Sequence, residues 1–171
     1  MWKRRSYVSS INKRIMEELY LNIAERLAAM VPEIDHIDED TGQLYPAQYD
    51  DRYEYPILFP CLLIDASTAD WKPESHAGGQ RGTVTVTLKL AFRCDEDSHY
   101  SSTERGNDFP QLKRRLAVGK KVVGALHGWC FEGDFGPMLR RQSRSYPLPG
   151  RVRVYETVFN VNMTDDLQVG E

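Results

Sequence analysis

The chain has 171 residues, 41% of them hydrophobic and 27% charged, with a formal net charge of −3. These values suit one globular domain with a single core and favour neither a disordered nor a membrane class. The longest apolar run, "PILFPCLLI", falls far short of the roughly 20 residues needed to cross a bilayer.

The start is basic, as in a signal peptide, but Lys13, Arg14, Glu17 and Glu18 stand where an apolar centre would lie, so the chain reads as cytoplasmic when made. From Ile11 onward, Ile15, Leu19, Ile23 and Leu27 recur every fourth residue, with Met16, Tyr20 and Met30 beside them and charged residues opposite. This period predicts an amphipathic helix, capped by Ser9 or Ser10 and stopped by Pro32. Residues 32–55 follow as a long acidic loop without sustained period, with one short strand around Ile34 to Ile37.

The segment "YPILFPCLLIDAS" predicts a strand from near Phe59 to near Asp65, entered at an edge or bend because of Pro56 and Pro60. In "TVTVTLKLAFR" Val84, Val86, Leu88, Leu90 and Phe92 alternate with Thr83, Thr85, Thr87, Lys89 and Arg93, the period of a half-buried strand. A second helix is expected to start at an Asp108 cap with Pro110 in its first turn and to end at Gly128; Leu112, Leu116, Val122, Val123 and Leu126 form its inward stripe. Two more strands, around Met138 to Tyr146 and from Val152 to Met163, are joined by "PLPG". The order α-(long loop)-β-β-α-β-β predicts one α+β domain over 1–171, with an antiparallel sheet of four strands or slightly more, flanked by two main helices. Its ends, about 1–9 and 165–171, are expected to be flexible.

Chemistry is hard to place in this chain. Phosphate-cradling glycine loops, the H-E-x-x-H pattern and the G-x-S-x-G pattern are all missing from the sequence, and the expectation is a protein that is no enzyme and needs no cofactor. Cys61, Cys94 and Cys130 are odd in number and widely spaced, which argues against both a disulfide framework and a zinc site. Asp38 and Asp40 in "DEDTGQ" have the spacing of a calcium loop, but Gly42 holds the next ligand position and no Glu follows at the twelfth, so no metal is expected. His127 and Cys130 would form a base and nucleophile only if the helix continued through Gly128. The favoured reading is that Trp129 and Cys130 fill the core while His127 sits at the helix C-terminus.

Charge is more telling. Lys113, Arg114, Arg115, Lys120 and Lys121 on the second helix are followed by Arg140, Arg141, Arg144, Arg151 and Arg153, with few acids between, chiefly Glu132 and Asp134. Acidic residues gather instead at Asp35 to Asp40, Asp50 to Glu54 and Asp95 to Asp97. Complementary patches on one chain favour head-to-tail binding between copies, which closes into a ring when the rotation permits. The interface candidates are Lys113, Arg114, Arg140, Arg141, Arg144, Arg151 and Arg153 on one side and Asp38, Asp40, Asp50 and Asp51 on the other. A nucleic-acid-binding module is the alternative, weakened by sparse aromatics, mainly Trp129, Phe131 and Tyr146.

The succession of an N-terminal amphipathic helix, "YPILFPCLLID", "GTVTVTLKLAF", a helix ending "VVGALHGW", an arginine-rich strand and "VRVYETVFNV" resembles the tail terminator, tail-completion or minor tail proteins of long-tailed bacteriophages and prophages. That resemblance runs from Ile11 to Met163 and rests on element order and short phrases. It implies a structural virion protein that forms a ring, usually hexameric, which caps the tail tube, stops its polymerisation and helps join tail to head. It also implies as partners other copies of itself, the tail tube and head-completion proteins, with neither nucleic acid nor a membrane. The implied location is the virion tail, reached from the host bacterial cytoplasm. The acidic loop from Glu33 to Tyr55 departs from the simplest members.

Overall fold

Strict alternation through Thr83 to Phe92 makes one strand the centre of the architecture, because every second side chain must find cover on the same face. The computed structural model describes residues 4–45, 55–73, 79–95, 109–133 and 135–165. In chain order the elements are α1 (Arg4–Met30), β1 (His36–Glu39), β2 (Cys61–Pro73), β3 (Gln80–Arg93), α2 (Pro110–Leu126), β4 (Leu139–Leu148) and β5 (Val152–Asp165). The strands form a five-stranded sheet in the order β1-β2-β3-β5-β4. The α+β class is as expected, with one strand more than four.

Several boundaries differ from expectation for identifiable reasons. Helix α1 begins at Arg4, so Ser9 and Ser10 lie inside it; nothing in "RRSYVSS" breaks a helix. Strand β1 is the short strand expected in the acidic loop, shifted slightly, and it pairs with β2 in parallel, His36 opposite Cys61. The sheet is therefore mixed, since the long connection after β1 crosses over and returns the chain in the same direction. Strand β2 runs past Asp65 to Pro73 because a bulge between Asp65 and Thr68 resets the register and pairing with β3 resumes. At that irregularity the Ala66 amide donates to the Tyr20 hydroxyl at 2.9 Å, tying β2 to α1. The expected Asp108 cap lies outside the described residues. The cap position itself is Phe109, in the left-handed region at φ 48°, with Pro110 at the helix start.

One face of the sheet presents Leu62, Ile64, Val84, Val86, Leu88, Leu90, Phe92, Phe159, Val161 and Met163, all buried, to Leu19, Ile23 and Leu27 of α1 and Val118, Val122, Ala125 and Leu126 of α2. This is the main core. Leu116, expected to point inward, is 51% exposed, because the stripe that reaches the sheet is Val118, Val122 and Ala125 at helical spacing and Leu116 falls on another flank. On the opposite face a smaller cluster joins Cys61, Leu63, Ala91, Val152 and Val154 to Leu44 and Tyr55. Part of the acidic loop is thus a cover for that face. The Tyr55 hydroxyl donates to the Pro149 carbonyl at 2.7 Å, pinning the cover to the β4–β5 turn.

Trp71 stands opposite Gly82 on the neighbouring strand and lies over it: a Cβ built on Gly82 falls 2.7 Å from Trp71 Cε3. Gly82→Ala should therefore displace the indole and destabilise the domain by about 1–3 kcal/mol. The check is the urea midpoint together with tryptophan fluorescence; an unchanged midpoint contradicts the packing.

Candidate assembly surface

Strand β4 is an edge strand, and its residues from Leu139 through Ser145 are all exposed. It is held by a tight turn in which Gly150 and Arg151 both have positive φ, at 72° and 56°. Such values suit the twist of a short hairpin and explain the glycine in "PLPG". A bulge between Arg140 and Gln142 takes Arg141 out of the ladder. Arg140 and Arg141 are both exposed, and neither has an ion pair among the described residues.

Arg144 is different. It sits opposite Glu156, and its Nε and Nη2 donate to the two carboxylate oxygens at 2.7 and 3.0 Å. Glu156 is only 5% exposed, so Arg144 is what makes that buried carboxylate tolerable. The Tyr146 hydroxyl donates to the same carboxylate at 3.0 Å and lies 3.1 Å from the Tyr45 hydroxyl. Glu156 is also the register partner of Lys89. Lys89 in turn donates to Asp40 at 2.5 Å and stands 4.9 Å from the Tyr45 ring centre. The result is a continuous polar row across the sheet face away from the helices. The Arg144 guanidinium is held above its ordinary range by its hydrogen bonds to Glu156. Burial pushes the Tyr146 hydroxyl up, and its bonds to Tyr45 and Glu156 push it further. Burial alone would lower Lys89, but the Asp40 hydrogen bond and charge outweigh it and raise Lys89 above its ordinary 10.5.

The structure therefore divides the interface candidates. Arg144 and Asp40 are engaged within the subunit, Arg144 with Glu156 and Asp40 with Lys89. Asp40 Oδ1 accepts the Gly42 amide at 3.1 Å while Oδ2 takes Lys89, so neither of its oxygens is idle. Asp38 is exposed, with Oδ1 accepting the Glu39 amide at 2.8 Å and Oδ2 3.6 Å from His36 Nε2. Arg153 reaches across to Ser145 Oγ at 2.9 Å, and Arg151 lies in the hairpin turn. Lys113 and Arg114 lie near the start of α2, where Arg114 lines a cleft of about 310 Å³ with Glu33, Asp35, Arg93 and Asp95. Lys121, also on α2, is hydrogen-bonded to Glu33, which that bond holds below the ordinary carboxylate range. Asp50, Asp51 and Asp134 lie outside the described residues.

A groove of about 510 Å³ runs between α2 and the overhanging β4. One wall is Leu116, Gly119, Lys120 and Val123, a single helical stripe at i, i+3, i+4 and i+7. The other side is Arg140, Ser143, Ser145, Tyr155 and Thr157, with the paired Arg144 and Glu156 also in the lining. This site was missed in the sequence because Leu116 had been placed in the core.

After α2 the chain turns through Gly128 at φ 78°, and the Gly128 amide donates to the Met138 carbonyl at 2.8 Å. His127 Nδ1 accepts the Arg140 amide at 3.2 Å, and among the described residues no hydrogen bond joins His127 to Cys130. Trp129 packs half-buried against the core with Arg26 over its ring at 4.5 Å. Cys130 is exposed rather than buried; the plug is Phe131, 6% exposed, stacked against Trp129 and Phe135. Of the aromatics that a nucleic-acid reading would use for stacking, Phe131 is buried, Trp129 is half-buried beneath Arg26, and the Tyr146 hydroxyl is bonded to Glu156. Burial pushes the Cys61 thiol up to about 12. Among the described residues no group of three or more His, Cys, Asp and Glu could hold a metal ion.

No family model matches this chain, and no curated protein matches it. Among solved structures it is similar to a chain of "Virion of native gene transfer agent (GTA) particle", with a TM-score of 0.48 and 10% identity, over 84% of this chain and 92% of that chain. At that likeness neither role nor partner passes from the neighbour to this chain.

Arg144→Ala should lower the thermal midpoint, and the same change in a Glu156→Gln background should lower it less, because the carboxylate that needs the guanidinium is gone. Additive losses in this double-mutant cycle would contradict the pairing. A second expectation concerns pH. With its folded value raised, Lys89 contributes stability that is complete below the ordinary 10.5 and lost as pH rises through the folded value. The urea-stability gap between the native chain and Asp40→Asn should thus stay constant from neutral pH to the ordinary lysine value and narrow above it.

Proposed function

We propose that the chain is a structural assembly protein of the phage-tail terminator type, which forms a ring on the end of the tail tube, halts its polymerisation and offers a surface for joining to the head. The observation that carries this reading is the separation of exposed charge. Arg140 and Arg141 project from one edge of the sheet, while Asp38 and Glu39 are exposed on the strand at the other edge. A subunit with opposite charges on opposite edges attracts its own copies head to tail, and a ring is the closed form of that contact. The resemblance in element order and phrases, from the first helix to "VRVYETVFNV", supports the same reading. It calls for no catalysis and no cofactor: the work is done by surfaces. Host cytoplasm is where such a chain would meet its tube.

Arg144 must be left out of any test, since reversing it would place two carboxylates together at Glu156 and unfold the edge for reasons unrelated to assembly. Arg140→Glu with Arg141→Glu should instead reduce incorporation into tail particles about tenfold or more. Circular dichroism and the thermal midpoint should be unchanged. Incorporation equal to the native chain, measured by mass spectrometry of purified particles, argues against the reading. Tails of normal length in particles lacking the chain would do so as well.

A further inference from the structure

The helical layer over the sheet is incomplete. Two helices cover one face of a five-stranded sheet, and the edge strand β4 is exposed from Leu139 to Ser145. Helix α1 lies against β1, β2 and α2, which leaves α2 on the β4 side of the layer. Beyond α2, Arg140, Ser143 and Ser145 on the helix side of β4 are exposed, and the 510 Å³ groove marks the uncovered lane. Leu116, 51% exposed, lines it with Val123 and Gly119; a Cβ on Gly119 would meet nothing within 4 Å. Lys120 and Arg140 flank this apolar strip.

The other end of the same layer carries the complement. On α1, Arg26 faces α2, its Nε donating to the Ala125 carbonyl at 2.5 Å. Glu17, Leu21 and Ala28, at helical spacing on the side opposite Arg26, face away from α2 and are exposed. Leu21 is 55% exposed, with Glu17 and the exposed Glu25 about 6 Å along the axis on either side. One end of the layer thus shows a leucine between glutamates, and the other a leucine in a groove whose lining includes Lys120, Arg140 and the Glu156-paired Arg144.

Edge-to-edge pairing fits less well. At the end of β1 side chains take up the backbone of Glu39: Asp38 Oδ1 accepts its amide, and Gln43 Nε2 donates to its carbonyl at 2.8 Å. The β4 edge has a bulge and arginines, which oppose pairing with a second β4.

We propose that the groove between α2 and β4 receives the α1 flank of a second copy, Leu21 entering beside Leu116 and Val123 while Glu17 and Glu25 meet Lys120 and Arg140. Donor and acceptor lie at opposite ends of one molecule, so the contact repeats head to tail. It deepens the ring reading by naming the contact, and the acidic partner is a helix flank in place of the acidic loops.

Disulfide trapping tests it in concentrated solution, where a contact too weak to persist between dilute subunits still forms often enough to be oxidised. In a background with Cys94→Ser and Cys130→Ser, Leu21→Cys with Gly119→Cys should give a ladder of dimers and higher species under mild oxidation. Adding Glu17→Lys with Glu25→Lys, or Lys120→Glu with Arg140→Glu, should slow the ladder about tenfold. An equimolar mixture of the two reversed proteins should restore it, since each then supplies the sign the other needs. A missing ladder, or one that neither reversal slows, overturns this contact. If the chain is nonetheless found in tail particles, the ring reading stands; if it is missing from them while the ladder behaves as expected, the contact stands and the ring reading falls.

Discussion

The carboxylate of Glu156 is the constraint around which the open half of the molecule is arranged. Buried on the central strand of the β3–β5–β4 group, it must be paired, because an ionised group out of water without partners costs several kcal/mol. Arg144 supplies the pair from the edge strand, and Tyr146 supplies a further donor from the same strand. Through Tyr45 and Lys89 the same row reaches Asp40, so the start of the acidic connection is tied to the sheet by the interactions that satisfy Glu156. An edge strand exposed from Leu139 to Ser145 has little apolar reason to stay in place. Its ladder to β5 and this polar row hold it there.

The division of arginines follows from that constraint. Side chains on the face away from the helices are used inside the subunit, Arg144 above all. Those on the helix side or at the bulge, Arg140 and Arg141, remain available. A count of basic residues along the sequence cannot make this distinction, because adjacent positions on a strand face opposite ways. The register makes it at once: counting back from a turn centred on Gly150 sets Leu148 against Val152, Tyr146 against Val154 and Arg144 against Glu156. The signal was present in "VRVYETVF", where Glu156 continues the inward series Val152 and Val154. A charge in an apolar register requires a partner.

Elsewhere legibility tracked the strength of the local period. Strands β3 and β5 could be read from alternation and β-branched content, and α1 from its four-residue repeat. The extension of β2 could not, because the bulge after Asp65 breaks the alternation, nor could the parallel pairing of β1, which is too short to carry a pattern. On α2, apolar residues at Leu112, Leu116, Val118, Val122, Val123, Ala125 and Leu126 spread over more of the helix than the sheet covers. The stripe through Val118 and Val122 packs inward, and Leu116 is left outside. The open groove is the physical consequence of that surplus: more apolar helix surface than one subunit can bury.

A single leucine entering such a groove contributes only about 1.5–3 kcal/mol, and exposed ion pairs add about 1 kcal/mol or less each. Association of two free subunits costs more in lost translation and rotation than this supplies with much to spare. A contact of this size is therefore weak between subunits in dilute solution. In the proposed ring, where a template would hold neighbours side by side, the second contact would be intramolecular in effect and the same few interactions would suffice. The charges then set direction: Glu17 and Glu25 can meet Lys120 and Arg140 in only one sense, and a subunit presented backwards meets like charge. Weak, polar-framed and one-directional contacts of the kind proposed would confine a ring to its template, in contrast to the broad apolar interface of a permanent oligomer.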